Sequence, residues 1–182
     1  FENGSNGNGT KSSLHGHSFG NLFLVALTSI YGSDIEGIKK ASELLDLNGR
    51  VLPVSLDKAH VHARLEDGTE IEGETNIDEP KHDGNMRIEE VFLKPAARIY
   101  DETAEAIEEA DVIVICPGDL YSSLMPNFLV EGMQEVLRNS TAKKVLVAPL
   151  MTKWGETNGL TISAVAKDCL LYTSDAADEE DS

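Results

Sequence analysis

The sequence predicts an α/β fold, a Rossmann-like parallel sheet in a three-layer sandwich with an inserted β-hairpin. Two continuous apolar runs, in "DVIVICPG" (Asp111–Gly118) and "KKVLVAP" (Lys143–Pro149), each follow a stretch with helical periodicity. Such runs are typical of parallel strands that are buried on both faces. Upstream, a stretch with period-two alternation leads into Asp67-Gly68, a strong hairpin turn signal.

Two helices open the readable part of the chain. The mostly apolar stretch Asn21–Tyr31 predicts a buried helix. A capping box at Ser33–Glu36 begins a second helix, which Gly49 ends. A short strand is expected at Val51–Val54.

The hairpin follows these helices. His60–Leu65 alternates between apolar and polar residues, and Glu70–Glu74 is the expected return strand. The polar stretch Asn76–Arg87 predicts a loop. Val91 and Leu93 mark another strand.

The second half of the chain has a β-α-β rhythm. A helix is expected at Asp101–Ala110, before the first apolar strand, and a second at Pro126–Arg138, before the next strand. A last helix is expected to begin near Thr161.

The composition of the chain disfavours several classes of binding partner. The chain has 182 residues and a formal net charge of −17, which disfavours nucleic acid and anionic membrane surfaces as partners. No apolar run is long enough to span a bilayer. Cys116 lies in an apolar strand pattern, which predicts that its side chain is in the core. A free core cysteine is typical of a reducing compartment, so we expect the protein in the cytoplasm.

The two ends of the chain differ in composition from the residues between them. Phe1–Ser13 is rich in Gly, Asn and Ser and predicts a flexible loop. The segment "CLLYTSDAADEEDS" (Cys169–Ser182) resembles translated transposon-adaptor sequence, although a genuine acidic tail is the alternative. We therefore expect a partial domain over residues 1–168 and a non-native tail over 169–182.

A first candidate site is "GHSFGN" (Gly16–Asn21), ahead of the first helix. Ser18 or Asn21 can cap this helix, and Gly20 allows a close approach of the backbone to a ligand. Unpaired N–H groups at a helix start attract phosphate, and His17 adds a donor that can become cationic. A capped helix with a histidine nearby remains the alternative.

Two further candidates follow the apolar strands, where open α/β sheets bind ligands. The shared sheet edge is expected to bring these two loops together, and we expect them to converge with the start of the first helix on one ligand. "PGDLYSSLMPN" (Pro117–Asn127) offers hydroxyl and amide groups, and Asp119 suits a hydroxyl or a metal rather than a phosphate. In "PLMTKWGETNG" (Pro149–Gly159), Lys153 can meet a phosphate and Glu156 can accept from sugar or ribose hydroxyls. Ordinary capped or solvated loops are the alternatives for both.

The histidines do not form a recognisable metal motif. His60 and His62 share the outer face of a strand at a spacing that permits metal binding, but the sequence offers no evident third ligand. A solvated strand face is the better interpretation. The sequence contains no P-loop, zinc signature or Ser-His-Asp motif.

Four motifs together resemble the YvcK branch of the YvcK/CofD family. They are "GHSFGNLFLVAL", "GRVLPVS", "ADVIVICPGDLYSSLMPNFLV" and "MTKWGETNGLT", and the resemblance runs from about Phe1 to about Lys167. It implies a Rossmann-like fold whose first βα unit lies upstream of Phe1. Asp119 departs from the family's usual Ser, Leu150 from its usual Asn and Lys153 from its usual Gln, which leaves the ligand's identity open.

The resemblance implies a nucleotide-sugar-binding regulator, with UDP-N-acetylglucosamine as the ligand. Members of this branch support growth on gluconeogenic carbon sources and affect cell-wall synthesis and cell shape. The alternative is a CofD-like 2-phospho-L-lactate transferase of coenzyme F420 synthesis, which uses a divalent metal. No catalytic residue or metal ligand is assigned, and homo-oligomerisation is left open. The expected ligand-binding residues are His17, Ser18, Gly20, Asn21, Gly118, Asp119, Leu120, Tyr121, Ser123, Asn127, Thr152, Lys153, Gly155, Glu156 and Thr157.

Overall fold

A computed structural model describes residues 18–171, with side chains through residue 169. His17, the loop expected at Phe1–Ser13 and the tail from Tyr172 onward lie outside the described residues. The chain divides after Leu52 into two compact units. Helices, an antiparallel sheet and a parallel pair of strands confirm the α/β class. The Rossmann-like three-layer arrangement stays a prediction.

The first unit contains two helices, α1 (Phe19–Tyr31) and α2 (Asp34–Leu44). The predicted start of α2 is confirmed, because the Oγ of Ser33 accepts a hydrogen bond of 3.2 Å from the backbone N–H of the third helical residue. Gly37 lets the two helices approach closely. A Cβ at this position would lie 2.8 Å from the backbone nitrogen of Thr28.

The prediction that α1 is buried is wrong for this unit. Leu27 is its one buried residue, whereas Phe19, Val25 and Ile30 are 82%, 62% and 72% exposed. The reason is that α1 packs against a single neighbouring helix of its unit. One helix covers only a narrow stripe of side chains.

The second unit contains an antiparallel sheet of three strands in the order β2-β1-β3. The strands are β1 (His60–Leu65), β2 (Glu70–Glu72) and β3 (Ile88–Lys94). The predicted hairpin joins β1 to β2, with Gly68 at φ +84° in its turn. Alternate residues of β1 point into the core, and His62 on the outer face stacks on a phenylalanine of β3.

A short helix, α3 (Glu74–Asp78), replaces the start of the predicted polar loop and the end of the predicted return strand. Gly73 has φ +89°, which ends the strand and turns the backbone into the helix. Ile77 is 1% exposed and fixes α3 to the core. A single apolar residue in a polar stretch gives too weak a periodic signal to predict such a helix.

The parallel part consists of β4 (Val112–Ile115) and β5 (Lys143–Leu146). The expectation that β4 is buried on both faces is wrong here, since Val112 and Val114 are each 51% exposed. Cys116 continues this outward row, and it is exposed rather than a core residue. The side chains on the other face of β4 pack against the core of the unit.

The helix predicted over Pro126–Arg138 is interrupted. It forms as α5 (Met125–Phe128) and α6 (Met133–Asn139). Between them, the backbone N–H of Glu131 donates to the carbonyl of Ala97 at 2.8 Å. This bond to a distant segment replaces the bonds that would continue the helix.

The strand predicted at Val51–Val54 does not form. Pro53 has no backbone donor, and its carbonyl accepts from the hydroxyl of Thr103 at 2.7 Å. The carbonyl of Val54 accepts from the backbone N–H of Tyr100 at 2.9 Å. These bonds fix an irregular segment beside the next helix.

The two remaining helices begin close to their predicted positions. They are α4 (Asp101–Glu108) and α7 (Ile162–Leu171), and Thr161 caps α7 by accepting from a backbone N–H at 3.2 Å. Cys169, the first residue of the expected tail, is 2% exposed within α7. Across residues 18–171, every helix is too short or too polar to cross a membrane.

Candidate functional site

The start of α1 is built on Ser18. Its Oγ accepts from the backbone N–H of Asn21 at 3.2 Å, and its carbonyl accepts from that of Leu22 at 3.1 Å. Ser18 is therefore the cap, and the side chain of Asn21 is not used for it. Ser18, Gly20 and Asn21 are all exposed, so this helix start is open to an anion within its own unit.

A π-helical turn at Leu120–Leu124 follows β4 and presents the second group of predicted residues. The carbonyl of Asp119 accepts from the backbone N–H groups of both Ser123 and Leu124 at 3.0 Å. Asn127 Nδ2 donates to the carbonyl of Ser123 at 2.7 Å. Asn127 therefore fixes the turn from its C-terminal side.

The other predicted residues of this loop anchor it. Leu120 is 2% exposed in the core. Gly118 is partly buried, and a Cβ there would lie 3.3 Å from the side chain of Leu124. The hydroxyl of Tyr121 donates to Asp168 Oδ2 at 3.1 Å, which connects the loop to α7.

The loop after β5 is held by internal hydrogen bonds. The backbone N–H of Lys153 donates to Thr157 Oγ1 at 2.7 Å, and that of Gly155 donates to Asn158 Oδ1 at 2.9 Å. Thr157 is buried and Thr152 is exposed. Of these two threonines, Thr152 is the one that solvent can reach.

Close packing fixes the same loop against the segment before β3. Asn158 Nδ2 donates to the carbonyl of Gly84 at 2.6 Å. A Cβ on Gly84 would lie 2.6 Å from Nε1 of Trp154. Gly155 has φ +86°, and a Cβ there would lie 2.5 Å from Cγ of Pro80. At either glycine, a larger residue would collide with a ring, so the loop or the ring would have to shift.

A buried carboxylate joins the two strand-end loops. Glu156 is 7% exposed, and its Oε2 accepts from the backbone N–H groups of Tyr121 at 2.7 Å and Ser122 at 3.1 Å. Its Oε1 accepts from the hydroxyl of Ser122 at 2.6 Å. We call these three bonds the Glu156 contact. They confirm the expectation that the two loops are neighbours.

An ion pair lies at the surface of the same two loops. Lys153 Nζ is 2.6 Å from Asp78 Oδ1 and 3.5 Å from Asp119 Oδ2. The hydrogen bond to Lys153 holds the pKa of Asp78 below its usual value, and the same bond raises the pKa of Lys153. Two of the three departures from the family motifs, Asp119 and Lys153, are thus near each other and of opposite charge.

The donor set does not fit a divalent metal as it is arranged. Oxygens of Asp78, Asp119 and Glu156 lie within 4.8 Å of one another. However, Lys153 is bound to the two aspartates, and both oxygens of Glu156 already accept hydrogen bonds. An ammonium and a cation of charge two would compete for the same carboxylates.

Two cavities lie beside the Glu156 contact. One of about 130 Å³ is lined in part by Tyr121, Gly155 and Glu156. The other, of about 440 Å³, shares Tyr121 and Asp168 with the first and extends along the start of β3. Tyr121 is the predicted site residue that lines both cavities.

The structure brings two of the three predicted places together, the loops after β4 and β5. The start of α1 belongs to the first unit, and its convergence with the two loops stays a prediction, as does ligand binding by any of these residues. Sequence reasoning missed Asp78. Its contact with Lys153 depends on α3, which has no clear signal in the sequence.

The chain is similar to one family model and to several curated proteins. The family model described as 2-phospho-L-lactate transferase CofD matches residues 3–177. The chain is 46% identical over 159 residues to the gluconeogenesis factor of Halalkalibacterium halodurans, covering 87% of this chain and 47% of that protein. It is 41% identical over 145 residues to the gluconeogenesis factor of Bacillus subtilis strain 168, covering 79% and 44%.

Solved structures show the same relationship. A crystal structure of a UPF0052 family member from Bacillus halodurans superposes with a TM-score of 0.80 at 41% identity. The match covers 90% of this chain and 52% of that one. The chain therefore spans about half the length of the curated relatives it matches.

Proposed function

The chain belongs to the 2-phospho-L-lactate transferase CofD family, and we propose that it is part of a nucleotide-sugar-binding regulator of the gluconeogenesis-factor type. The relatives named gluconeogenesis factor support this assignment at 41–46% identity. The proposed ligand is UDP-N-acetylglucosamine. The proposed role connects central carbon metabolism with cell-wall synthesis and cell shape in the cytoplasm, as the resemblance to the YvcK branch implies.

One observation carries this proposal: the Glu156 contact holds two loops together at the carboxyl edge of the parallel pair β4–β5. In open α/β sheets, ligands bind outside the carboxyl ends of the strands. The loops offer Asp119, Ser123 and Thr152 to hydroxyl groups of a sugar. The lysine beside them is already paired with two carboxylates, so this edge favours the uncharged part of a ligand.

The phosphates of the ligand require donors elsewhere. The exposed start of α1 provides backbone N–H groups and the positive end of a helix dipole. The amide side chain of Asn21 lies at this start and is exposed. Within the first unit, the segment Ser18–Asn21 is therefore the proposed place for an anionic group of a ligand, and within the second unit the strand-end loops are the proposed place for a sugar.

The second candidate function is transfer of 2-phospho-L-lactate, which the description of the family model favours. Phosphoryl-group chemistry of this kind needs its negative charge neutralised, usually by a metal ion on carboxylates. The carboxylates found together here are paired with Lys153 or with loop donors. A binding protein without catalysis therefore remains the first proposal.

Calorimetric titration with UDP-N-acetylglucosamine tests the first proposal. Saturable binding without turnover supports the regulator. Metal-dependent transfer onto a deazaflavin acceptor supports the transferase instead. Silence in both assays contradicts both functions and favours a protein that only contacts other macromolecules.

A substitution tests the place of the phosphates. Asn21→Ala should weaken binding of UDP-N-acetylglucosamine while leaving the Tm nearly unchanged, because its side chain does not cap the helix. Asn48→Ala, at an exposed position of the same unit, is the matched control and should change neither. A large fall in Tm with unchanged affinity would assign Asn21 a structural role.

A further inference from the structure

The Glu156 carboxylate is an unusual group to find in a loop interior. Burying a carboxylate is costly unless hydrogen bonds or a cation compensate for the lost water. Its partners, among the residues whose side chains are described, are two backbone N–H groups and one hydroxyl. The nearby ammonium of Lys153 is bound to Asp78 and Asp119. Glu156 therefore stabilises the loop backbone through these hydrogen bonds.

This arrangement leaves little of Glu156 for a ligand. Its residue exposure is 7%, and each of its oxygens already accepts at least one bond of 2.7 Å or less. Three bonds use most of the roughly four acceptor positions of the carboxylate, and a sugar hydroxyl that displaced a backbone N–H would leave it without a partner. Such a buried, unsatisfied donor costs about 1–3 kcal/mol.

The Glu156 contact determines where the turn after β4 lies. It joins residues 34 and 35 positions apart in the sequence. The same turn is closed by the carbonyl of Asp119, which accepts from Ser123 and Leu124. Any movement of Tyr121 or Ser122 therefore moves Asp119 and Ser123, the groups assigned to the sugar.

We propose that Glu156 and Ser122 are positioning residues of the nucleotide-sugar site, which act through the Leu120–Leu124 turn and do not touch the ligand. This inference rests on the proposed function. It changes the role that sequence reasoning gave Glu156, from direct acceptor of a hydroxyl to support of the groups that bind it. It also adds Ser122, whose buried hydroxyl donates to Glu156.

Two measurements on Glu156→Gln, Ser122→Ala and the double variant test the proposal. The first is amide hydrogen exchange at Tyr121 and Ser122, with the amide of Ala63 in β1 as internal reference. We expect exchange in Glu156→Gln to be at least tenfold faster at the two turn amides and unchanged at Ala63. Glu135→Gln, at an exposed position of α6, is the matched control.

The second measurement is the affinity for UDP-N-acetylglucosamine, at a temperature where every variant is fully folded. We expect each single variant to bind about tenfold more weakly, because each loses part of the same contact. The double variant should bind no more weakly than Glu156→Gln, since the losses of directly coupled residues do not add. Glu135→Gln should bind like the unaltered chain.

Each result decides one question. Unchanged affinity with faster exchange would overturn the positioning role and leave a structural one. Weaker binding by Glu156→Gln alone, with Ser122→Ala binding normally and exchange unchanged, would show that Glu156 touches the ligand. If Glu156→Gln does not fold, the milder Ser122→Ala decides between these outcomes.

Failure of the proposed function gives a different result. In that case the unaltered chain binds no UDP-N-acetylglucosamine, and a positioning role for this ligand is refuted with it. The exchange measurement then still shows whether the Glu156 contact holds the turn. Normal binding by the unaltered chain with unaffected variants would refute the inference alone.

Discussion

Gly155 offers a direct test of how tightly the loop after β5 is held. It has φ +86° and is buried, and a Cβ there would lie 2.5 Å from Cγ of Pro80. A left-handed conformation costs a residue with a Cβ about 1–2 kcal/mol, and overpacking adds about 1–3 kcal/mol. We therefore expect Gly155→Ala to lower the free energy of unfolding by about 2–5 kcal/mol.

Gly159 in the same loop is the matched control. It has φ +69°, but a Cβ there would meet nothing within 4 Å. Gly159→Ala should therefore lose only the conformational part, about 1–2 kcal/mol.

Urea denaturation measures the loss of unfolding free energy in both variants. Circular dichroism and the fluorescence of the single tryptophan, Trp154, follow the transition. Equal losses for Gly155→Ala and Gly159→Ala, within about 0.5 kcal/mol, would refute the close contact with Pro80.

Thiol reactivity, an ion pair and a core leucine give three more tests. In the folded chain, a thiol reagent should modify the exposed Cys116 rapidly and spare Cys169, whose pKa is raised by burial; equal rates would contradict this. Leu65→Ala, at a fully buried position, should cost about 2–5 kcal/mol in urea denaturation, and a loss below about 1 kcal/mol would contradict the described core. Asp78→Asn should lower the free energy of unfolding by less than about 1 kcal/mol near pH 7, since the ion pair with Lys153 is partly exposed. Because the pKa of Asp78 is lowered in the fold from 3.8, that difference should be present above about pH 4 and vanish as the pH falls further; a difference that persists at about pH 2 would refute the pair.

The elements that were predicted correctly depend on residues that are close together in the sequence. The alternation of His60–Leu65 and the dipeptide Asp67-Gly68 fix one strand and its turn with residues that are adjacent in the sequence. Ser33 likewise caps the helix that begins at the next residue, by accepting from a backbone N–H three positions away. Each of these predictions depends on contacts within a few positions, and each is confirmed.

The wrong predictions concern contacts between distant residues. The helix expected over Pro126–Arg138 is broken by a bond from Glu131 to Ala97, which no periodicity reveals. Cys116 has the apolar neighbours of a core residue but follows the outward row of β4. The hydrophobic pattern of a strand favours burial but does not show which neighbours, if any, cover each face.

The candidate site shows the same division. Parallel strands end at one edge of a sheet, so the proximity of the two loops was predictable. The means by which they are joined was not, because the Glu156 contact depends on a side chain that reaches a turn 34 residues earlier. The sequence offers Asp119 and Lys153 singly as candidate ligand contacts, and only the structure shows that their charged groups lie 3.5 Å apart.

The proposed function requires that a nucleotide sugar binds at the two strand-end loops of the second unit. Chemical-shift mapping of the isotope-labelled chain during titration with UDP-N-acetylglucosamine tests it most directly. We expect saturable shifts at Gly118–Ser123 and Thr152–Thr157, and also at Ser18–Asn21, the proposed anion site of the first unit. Shifts confined to other segments, such as the lining of the 440 Å³ cavity at Arg87–Val91, or no shifts at all, would contradict it.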